Sequence, residues 1–132
     1  MRIVFDTNVI LSALLTEGLS YKVFDLCLIN HELIVSDFIL DEVERVLYKK
    51  FKVKRTYVKE VINFLKGNLT LLAPRGKPPD VCRDKDDNSI LHLAEFSKAQ
   101  IIITGDFDLL DLKSYKNTEI LTPREFFIKY LT

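Results

Sequence analysis

Most of the side chains in this sequence that could bind a metal ion or catalyse a reaction are carboxylates, and two of these acids follow short apolar runs. Asp6 comes directly after residues 3–5, and Asp106 follows residues 101–103 with two residues between. Wholly apolar runs of this length predict buried strands of a parallel sheet. Ligands bind at the carboxyl ends of such strands, so we expect Asp6 and Asp106 to lie at one edge of the sheet.

Two further acids can be placed by helical geometry, at about 100° per residue. Glu42 lies at the border of the apolar stripe of the helix predicted after Ser36. Asp87 lies at the centre of the inward face, in the first turn of a helix predicted over 87–97. Each acid also has a purely structural explanation, since Asp6 could simply end a strand and Asp87 could cap its helix.

Together, the placements predict a cluster of four carboxylates at one end of the sheet: Asp6, Glu42, Asp87 and Asp106. Like charges at close range raise one another's pKa, so such a cluster needs compensation. The sequence contains no cluster of His or Cys, and all-oxygen sites suit Mg²⁺ or Mn²⁺. A site of this kind could activate water for attack on a phosphodiester.

Three acids lie close together near the start of the helix predicted over 87–97, so the sequence leaves open which of Asp84, Asp86 and Asp87 contacts the metal ion. We expect Asp84, Asp86 and Asp108 to be mostly solvated, with Asp84 the reserve metal contact.

The alternation of short apolar runs with helical patterns predicts an α/β fold, a three-layer sandwich with a parallel sheet between helices. Strands are expected at residues 3–5, 33–35, 101–103 and near 119–121, with a further possible strand at 69–72. Ser36 is expected to cap one helix, and residues 122–125 (TPRE) form a capping box that predicts a final helix. The loop at 73–81 is too short to divide domains, so we expect one domain over residues 1–132.

Composition excludes several classes of protein. Of 132 residues, 48% are hydrophobic and 29% charged, with 4 Gly and 4 Pro, which excludes a disordered or collagen-like chain. No apolar run approaches the roughly 20 residues of a membrane span, and no signal peptide is expected. Cys27 and Cys82 fit no metal or redox spacing, so we expect a reduced, cytoplasmic protein.

Charge is unevenly distributed although the net charge is zero. A run without acids contains Lys49, Lys50, Lys52, Lys54, Arg55 and Lys59. It is interleaved with Tyr48, Phe51 and Tyr57, a pattern that could hold an RNA backbone and stack unpaired bases. The alternative is a solvated helix junction, with Phe51 and Val53 in the core.

Other enzyme classes fit the sequence less well. His31 and His92 do not indicate a catalytic dyad, because His92 is predicted to be exposed, away from the apolar stripe of its helix. A phosphatase of the haloacid-dehalogenase type would normally carry a second Asp where Asn8 stands, and a response-regulator receiver has an acid pair near its first strand, where Asp6 stands alone.

The ordered set of acidic motifs resembles PIN-domain nucleases, in particular a subgroup of toxin components of toxin–antitoxin systems related to VapC. The matching segments are residues 6–12 (DTNVILS), 36–43 (SDFILDEV), 84–88 (DKDDN), 104–110 (TGDFDLL) and 122–126 (TPREF). One departure is Lys85, where the subgroup often has Pro.

The resemblance implies a five-stranded parallel sheet, Mg²⁺- or Mn²⁺-dependent ribonuclease activity, frequent homodimers and inhibition by a small antitoxin protein. It carries the metal and catalytic roles to the four clustered acids, and it makes Asn8 and Thr104 supporting polar groups. The competing interpretation is a PIN-fold module that binds RNA or protein and cleaves weakly.

Overall fold

The first strand of the chain lies at the centre of a six-stranded sheet with the order β3-β2-β1-β4-β6-β5. A computed structural model describes residues 1–131. The strands are β1 (Arg2–Phe5), β2 (Glu32–Val35), β3 (Thr70–Leu71), β4 (Ile101–Ile103), β5 (Ser114–Tyr115) and β6 (Thr118–Leu121). Strands β1 to β4 and β6 pair in parallel, whereas β5 pairs with β6 antiparallel.

Helices flank this sheet and complete a three-layer α/β sandwich, which confirms the predicted fold class. They are α1 (Thr7–Leu15), α2 (Leu19–Asn30), α3 (Asp37–Lys49), α4 (Arg55–Asn68), α5 (Lys85–Ser97), α6 (Phe107–Leu110) and α7 (Pro123–Tyr130). The capping box predicted for α7 is present, with Thr122 Oγ1 accepting from the Glu125 backbone N–H and Glu125 Oε1 accepting from the Thr122 N–H. Ser36 caps α3 as predicted, accepting from Ile39 N.

The strand order places the topological switch point between β1 and β4. The chain moves outward from β1 through β2 to β3, and then returns to lay β4 on the other side of β1. The register aligns Phe5 with Ile103, so both strands end at the same level. Their carboxyl ends therefore form the crevice in which this class of sheet binds ligands.

Three local features differ from the sequence prediction. Helix α5 begins at Lys85 because Asp84, rather than Asp87, caps it by accepting from the Asp86 N–H. The turn after β4 contains the short helix α6, and a sixth strand, β5, adds an antiparallel edge. Helix α6 is a single turn, too short to show a helical period, and β5 is a two-residue segment without an apolar run, so neither could be predicted from periodicity.

Apolar strand residues and the inward helix faces form one core. Residues 3–5 and 101–103 are at most 1% exposed, and Phe5 packs edge-on against Phe24 with ring centroids 5.2 Å apart. Cys27 is buried among these side chains, and Cys27 and Cys82 are both free thiols. Within residues 1–131, no helix is both long enough and apolar enough to cross a membrane.

Phe126 is the most deeply buried side chain of the C-terminal helix α7, and its neighbour Phe127 also packs against the core. Phe126 is fully buried and contacts the rings of His31 and Tyr130. We predict that Phe126→Ala lowers the free energy of unfolding by about 3–5 kcal/mol, because it removes a large buried ring and leaves a cavity. Phe96, which is 40% exposed, is the matched control. In urea denaturation, Phe96→Ala should cost much less, and equal losses would contradict this account of the core.

Candidate active site

Asp6 is held rigidly at the end of β1 by two hydrogen bonds. Its Oδ1 accepts from the Asn8 backbone N–H at 2.6 Å, and its Oδ2 accepts from the Thr104 hydroxyl at 2.5 Å. Asp6 is 7% exposed. Burial raises the pKa of Asp6, the bonds from Thr104 and Asn8 oppose this, and the charge of Asp106 adds to the rise.

The Thr104 side chain links the ends of β1 and β4 through hydrogen bonds. Its buried hydroxyl donates to Asp6 and accepts from the Asp106 backbone N–H at 3.0 Å. Asp106 in turn caps α6, accepting from the Asp108 N–H at 2.9 Å. Thr104 thus makes the supporting contact expected of it, whereas Asn8 contributes its backbone amide. Within residues 1–131, no hydrogen bond links the Asn8 side chain to the carboxylates.

Glu42 enters the site from α3, at the border of that helix's buried face as predicted. Its side chain is 20% exposed, and one carboxylate oxygen lies 4.0 Å from the Arg45 guanidinium. Burial raises the pKa of Glu42, Thr7 lowers it, and the neighbouring Asp86 carboxylate raises it further. Asp86 is exposed as expected, yet it faces Glu42 across the site.

Asp87 is the most unusual acid of the group. It is 5% exposed, and its Oδ2 is buried without a hydrogen-bond partner among the described residues. Burial raises the pKa of Asp87 to about 7, and the negative charges of Asp106, Asp84 and Asp6 add to the effect. Burying a carboxylate oxygen without a hydrogen bond costs free energy of folding. A bound cation or an external hydrogen-bond donor would offset that cost.

These side chains meet in one small cleft of about 80 Å³ at the switch point. All four clustered acids line it, and so does Asp84. Thr7, Asn8, Phe38, Asp86 and Ile90 complete the lining. The structure therefore brings together every acid that the sequence predicted to converge.

Sequence reasoning missed Asp108 as part of this region. Asp108 is half-buried rather than solvated, and carboxylate oxygens of Asp87, Asp106 and Asp108 lie within 4.8 Å of one another. Arg83 binds both Asp108 oxygens, at 2.8 and 3.1 Å. The spacing of Asp108, two residues after Asp106, could have indicated its position, but its pairing with Arg83 joins segments 25 residues apart.

The donor set fits a hard divalent cation. Its potential ligands are carboxylate oxygens, which Mg²⁺ and Mn²⁺ prefer, and the buried Asp87 Oδ2 has no hydrogen-bond partner in the described part of the chain. Asp6, Glu42, Asp87 and Asp106 line the cleft and could hold the ion. Asp84 also lines the cleft, and Asp108 belongs with Asp87 and Asp106 to the group of acids whose oxygens lie within 4.8 Å of one another.

The basic segment lies at the junction of α3 and α4, and its charged side chains are exposed. Its aromatic residues Tyr48, Phe51 and Tyr57 are 40%, 47% and 56% exposed, so Phe51 is not a core residue. Of the two residues that the alternative places in the core, Val53 does pack against it. The Arg55 guanidinium lies 4.9 Å from the centre of the Tyr48 ring, and Lys50 Nζ lies 5.6 Å from that of Phe51.

The two histidines take no part in the cleft. His31 Nδ1 lies 3.0 Å from the Met1 amino group, whereas His92 Nε2 lies 2.9 Å from the Arg75 carbonyl oxygen. His92 is half-buried rather than exposed as predicted, because this bond ties it to the loop after β3.

Asp87 should make the stability of the metal-free protein depend on pH. Its folded pKa of about 7 lies above its ordinary value of 3.8, so the folded state binds more protons between these values. The contribution of Asp87 to the free energy of unfolding therefore falls as pH rises through this interval. We predict that Asp87→Asn, with EDTA present, melts at a higher temperature than the wild type at pH 8, and that the gap closes towards pH 4. If the difference in melting temperature between the variant and the wild type does not widen with pH, the pKa of Asp87 is not raised in the folded protein.

Comparison with known proteins agrees with this geometry. A family model described as PIN domain matches residues 2–108. The chain is 33% identical over 141 residues to Uncharacterized protein MJ1680 of Methanocaldococcus jannaschii, covering 96% of this chain and 89% of that protein.

Two solved structures share the fold at low identity. One is VapBC2 from Rickettsia felis bound to a DNA fragment from their promoter, with a TM-score of 0.66, 16% identity, and coverage of 91% of this chain and 97% of that one. The other is FitAcB from Neisseria gonorrhoeae, with a TM-score of 0.56, 15% identity, and coverage of 92% and 98%. From the family match and the acids gathered at its switch point, this chain belongs to the PIN domain family.

Proposed function

We propose that this protein is a Mg²⁺- or Mn²⁺-dependent endoribonuclease that hydrolyses phosphodiester bonds of RNA. The observation that carries the proposal is the buried Asp87 Oδ2, which has no hydrogen-bond partner within residues 1–131 and lies in a cleft shared with Asp6, Glu42 and Asp106. A divalent ion held there would neutralise charge that develops at phosphorus and lower the pKa of water.

The protein's own groups would keep the cleft in a fixed arrangement. Thr104 and the Asn8 amide hold Asp6 in one orientation, and the Thr104 hydroxyl sets the position of Asp106 through its backbone. Because these contacts are made by strand ends and helix caps, the carboxylates need little rearrangement before substrate arrives. The raised pKa of Asp87, about 7, makes this carboxyl a candidate to hold a proton near neutral pH, and the pKa of Glu42 is raised in the same direction.

Helix α3 supports an approach path for an anionic substrate. Arg45 and Lys49 follow Glu42 by three and seven residues, so they lie on the same side of the helix, and Lys49 is about 10 Å further along the axis. This row leads from the acidic cleft to the basic segment at the start of α4. We assign the RNA contacts of that segment to Lys49, Lys50, Lys52, Lys54 and Arg55.

We further propose that the protein acts in the cytoplasm as the toxin of a toxin–antitoxin pair. The sequence resemblance to VapC-related toxin components and the shared fold of VapBC2 support an antitoxin partner. Exposed apolar side chains such as Ile29, 72% exposed, are available for that partner or for a homodimer.

The first test removes one carboxylate. We expect Asp6→Asn to lower Mn²⁺-dependent cleavage of labelled single-stranded RNA by roughly 100-fold or more, because the ion loses a ligand at a rigid position. Asp25→Asn, on the exposed side of α2, is the matched control and should cleave like the wild type. Full activity of Asp6→Asn would exclude this site. If the wild type binds RNA and never cleaves it, the protein is instead a catalytically weak binding module.

The second test concerns the basic segment. Lys50→Glu with Lys52→Glu should weaken RNA binding by roughly tenfold or more at low salt and flatten its salt dependence, because fewer counterions are released. Lys22→Glu with Lys66→Glu makes the same charge change on α2 and α4, outside the segment, and is the control. Equal affinities for the two double variants, measured by fluorescence anisotropy, would show that RNA does not use this segment.

A further inference from the structure

A second cavity adjoins the acidic cleft and has no part in the function described so far. Its volume is about 350 Å³, and it lies between the first turn of α3, the loop after β3 and the middle of α5. Phe38, 39% exposed, lines both this side pocket and the acidic cleft. The two spaces therefore share the Phe38 side chain as part of their walls.

The walls of the side pocket suit a flat, unsaturated ring. Leu72, Pro74 and Pro78 face it together with Phe38, so much of the lining is apolar. Its volume is at the lower end of the range for small-molecule sites, which is ample for one nucleobase. Aromatic side chains stack on bases of any sequence, and such stacking is a common way of holding unpaired strands.

Two polar side chains of the side pocket, His92 and Asp37, offer hydrogen-bond acceptors. Nε2 of His92 must carry the proton in its contact with the Arg75 carbonyl, because a carbonyl oxygen only accepts. In the neutral imidazole, Nδ1 is then an acceptor. Asp37 also lines the pocket, is exposed, and forms no salt bridge within residues 1–131. Its carboxylate accepts hydrogen bonds from amino groups.

We propose that the side pocket binds one unpaired base of the RNA next to the phosphate in the cleft, and that it prefers bases bearing amino groups. Adenine, cytosine and guanine each offer an exocyclic amino group to Asp37 and His92, whereas uracil offers none. Stacking on Phe38 requires a base free of its helix, so the pocket also selects single-stranded RNA. The proposal rests on the proposed function for the identity of the polymer, but it concerns binding rather than cleavage.

The test uses five-nucleotide RNAs of sequence UUXUU, where X is adenosine, cytidine, guanosine or uridine. Affinities are measured in the full-length Asp6→Asn protein with Mg²⁺, and gels check that the RNA stays intact. We expect the three amino-bearing bases to bind roughly tenfold more tightly than UUUUU, as hydrogen-bonded base contacts typically discriminate. Asp37→Asn should reduce this preference to about twofold or less, because an amide both donates and accepts.

A matched control makes the outcome specific to the side pocket. Asp41→Asn is the same change one helical turn later on α3, outside the pocket, and it should keep the full preference. Phe38→Ala should lower affinity for the preferred RNAs by roughly 5- to 100-fold, and Phe38→Tyr should retain it. Circular dichroism checks that each variant is folded.

Three results would overturn the proposal: no preference among the four RNAs, an unchanged preference in Asp37→Asn, or an equal loss in Asp41→Asn. If the protein is not a ribonuclease, the measurements give a different result. In that case the base preference persists in these binding measurements, while the wild type cleaves no RNA with either Mg²⁺ or Mn²⁺.

Discussion

Mutual repulsion among buried carboxylates is the constraint around which this structure is organised. Asp6 and Asp87 are both at least nine-tenths buried, and the charge of Asp106 raises the pKa of each. Burial and like charge both oppose ionisation, so the cluster costs stability unless a proton or a cation balances it. The hydrogen bonds from Thr104 and Asn8 offset part of that cost at Asp6 alone. At Asp87 one oxygen has no hydrogen-bond partner among residues 1–131.

The fold supplies the rigidity that such a cluster needs. β1 and β4 end in register at the centre of the sheet, where neither strand can shift without disturbing the core. Helices α1, α3, α5 and α6 begin at this edge, capped by Asp6, Ser36, Asp84 and Asp106. Three of these caps are themselves acids of the cleft, so the groups that start the helices also form the site.

Hydrophobic periodicity was enough to predict the parallel strands and the inward orientation of Asp87, because Ile90, Leu91 and Ala94 follow it by three, four and seven residues and define that helix face. Periodicity could not choose a cap among Asp84, Asp86 and Asp87, since each is a good capping residue. Asp108 was missed because its partner Arg83 is distant in sequence. The side pocket could not be predicted from the sequence either, because the loop after β3 forms much of its wall and has no hydrophobic periodicity.

The most direct test of the central claim is the anomalous scattering of Mn²⁺ in crystals of the protein. The account predicts an anomalous peak inside the acidic cleft, in contact with carboxylate oxygens of Asp6 and Asp87, and loss of that peak in Asp87→Asn crystals. Mn²⁺ bound only elsewhere on the surface, with the cleft acids undisturbed, would contradict it.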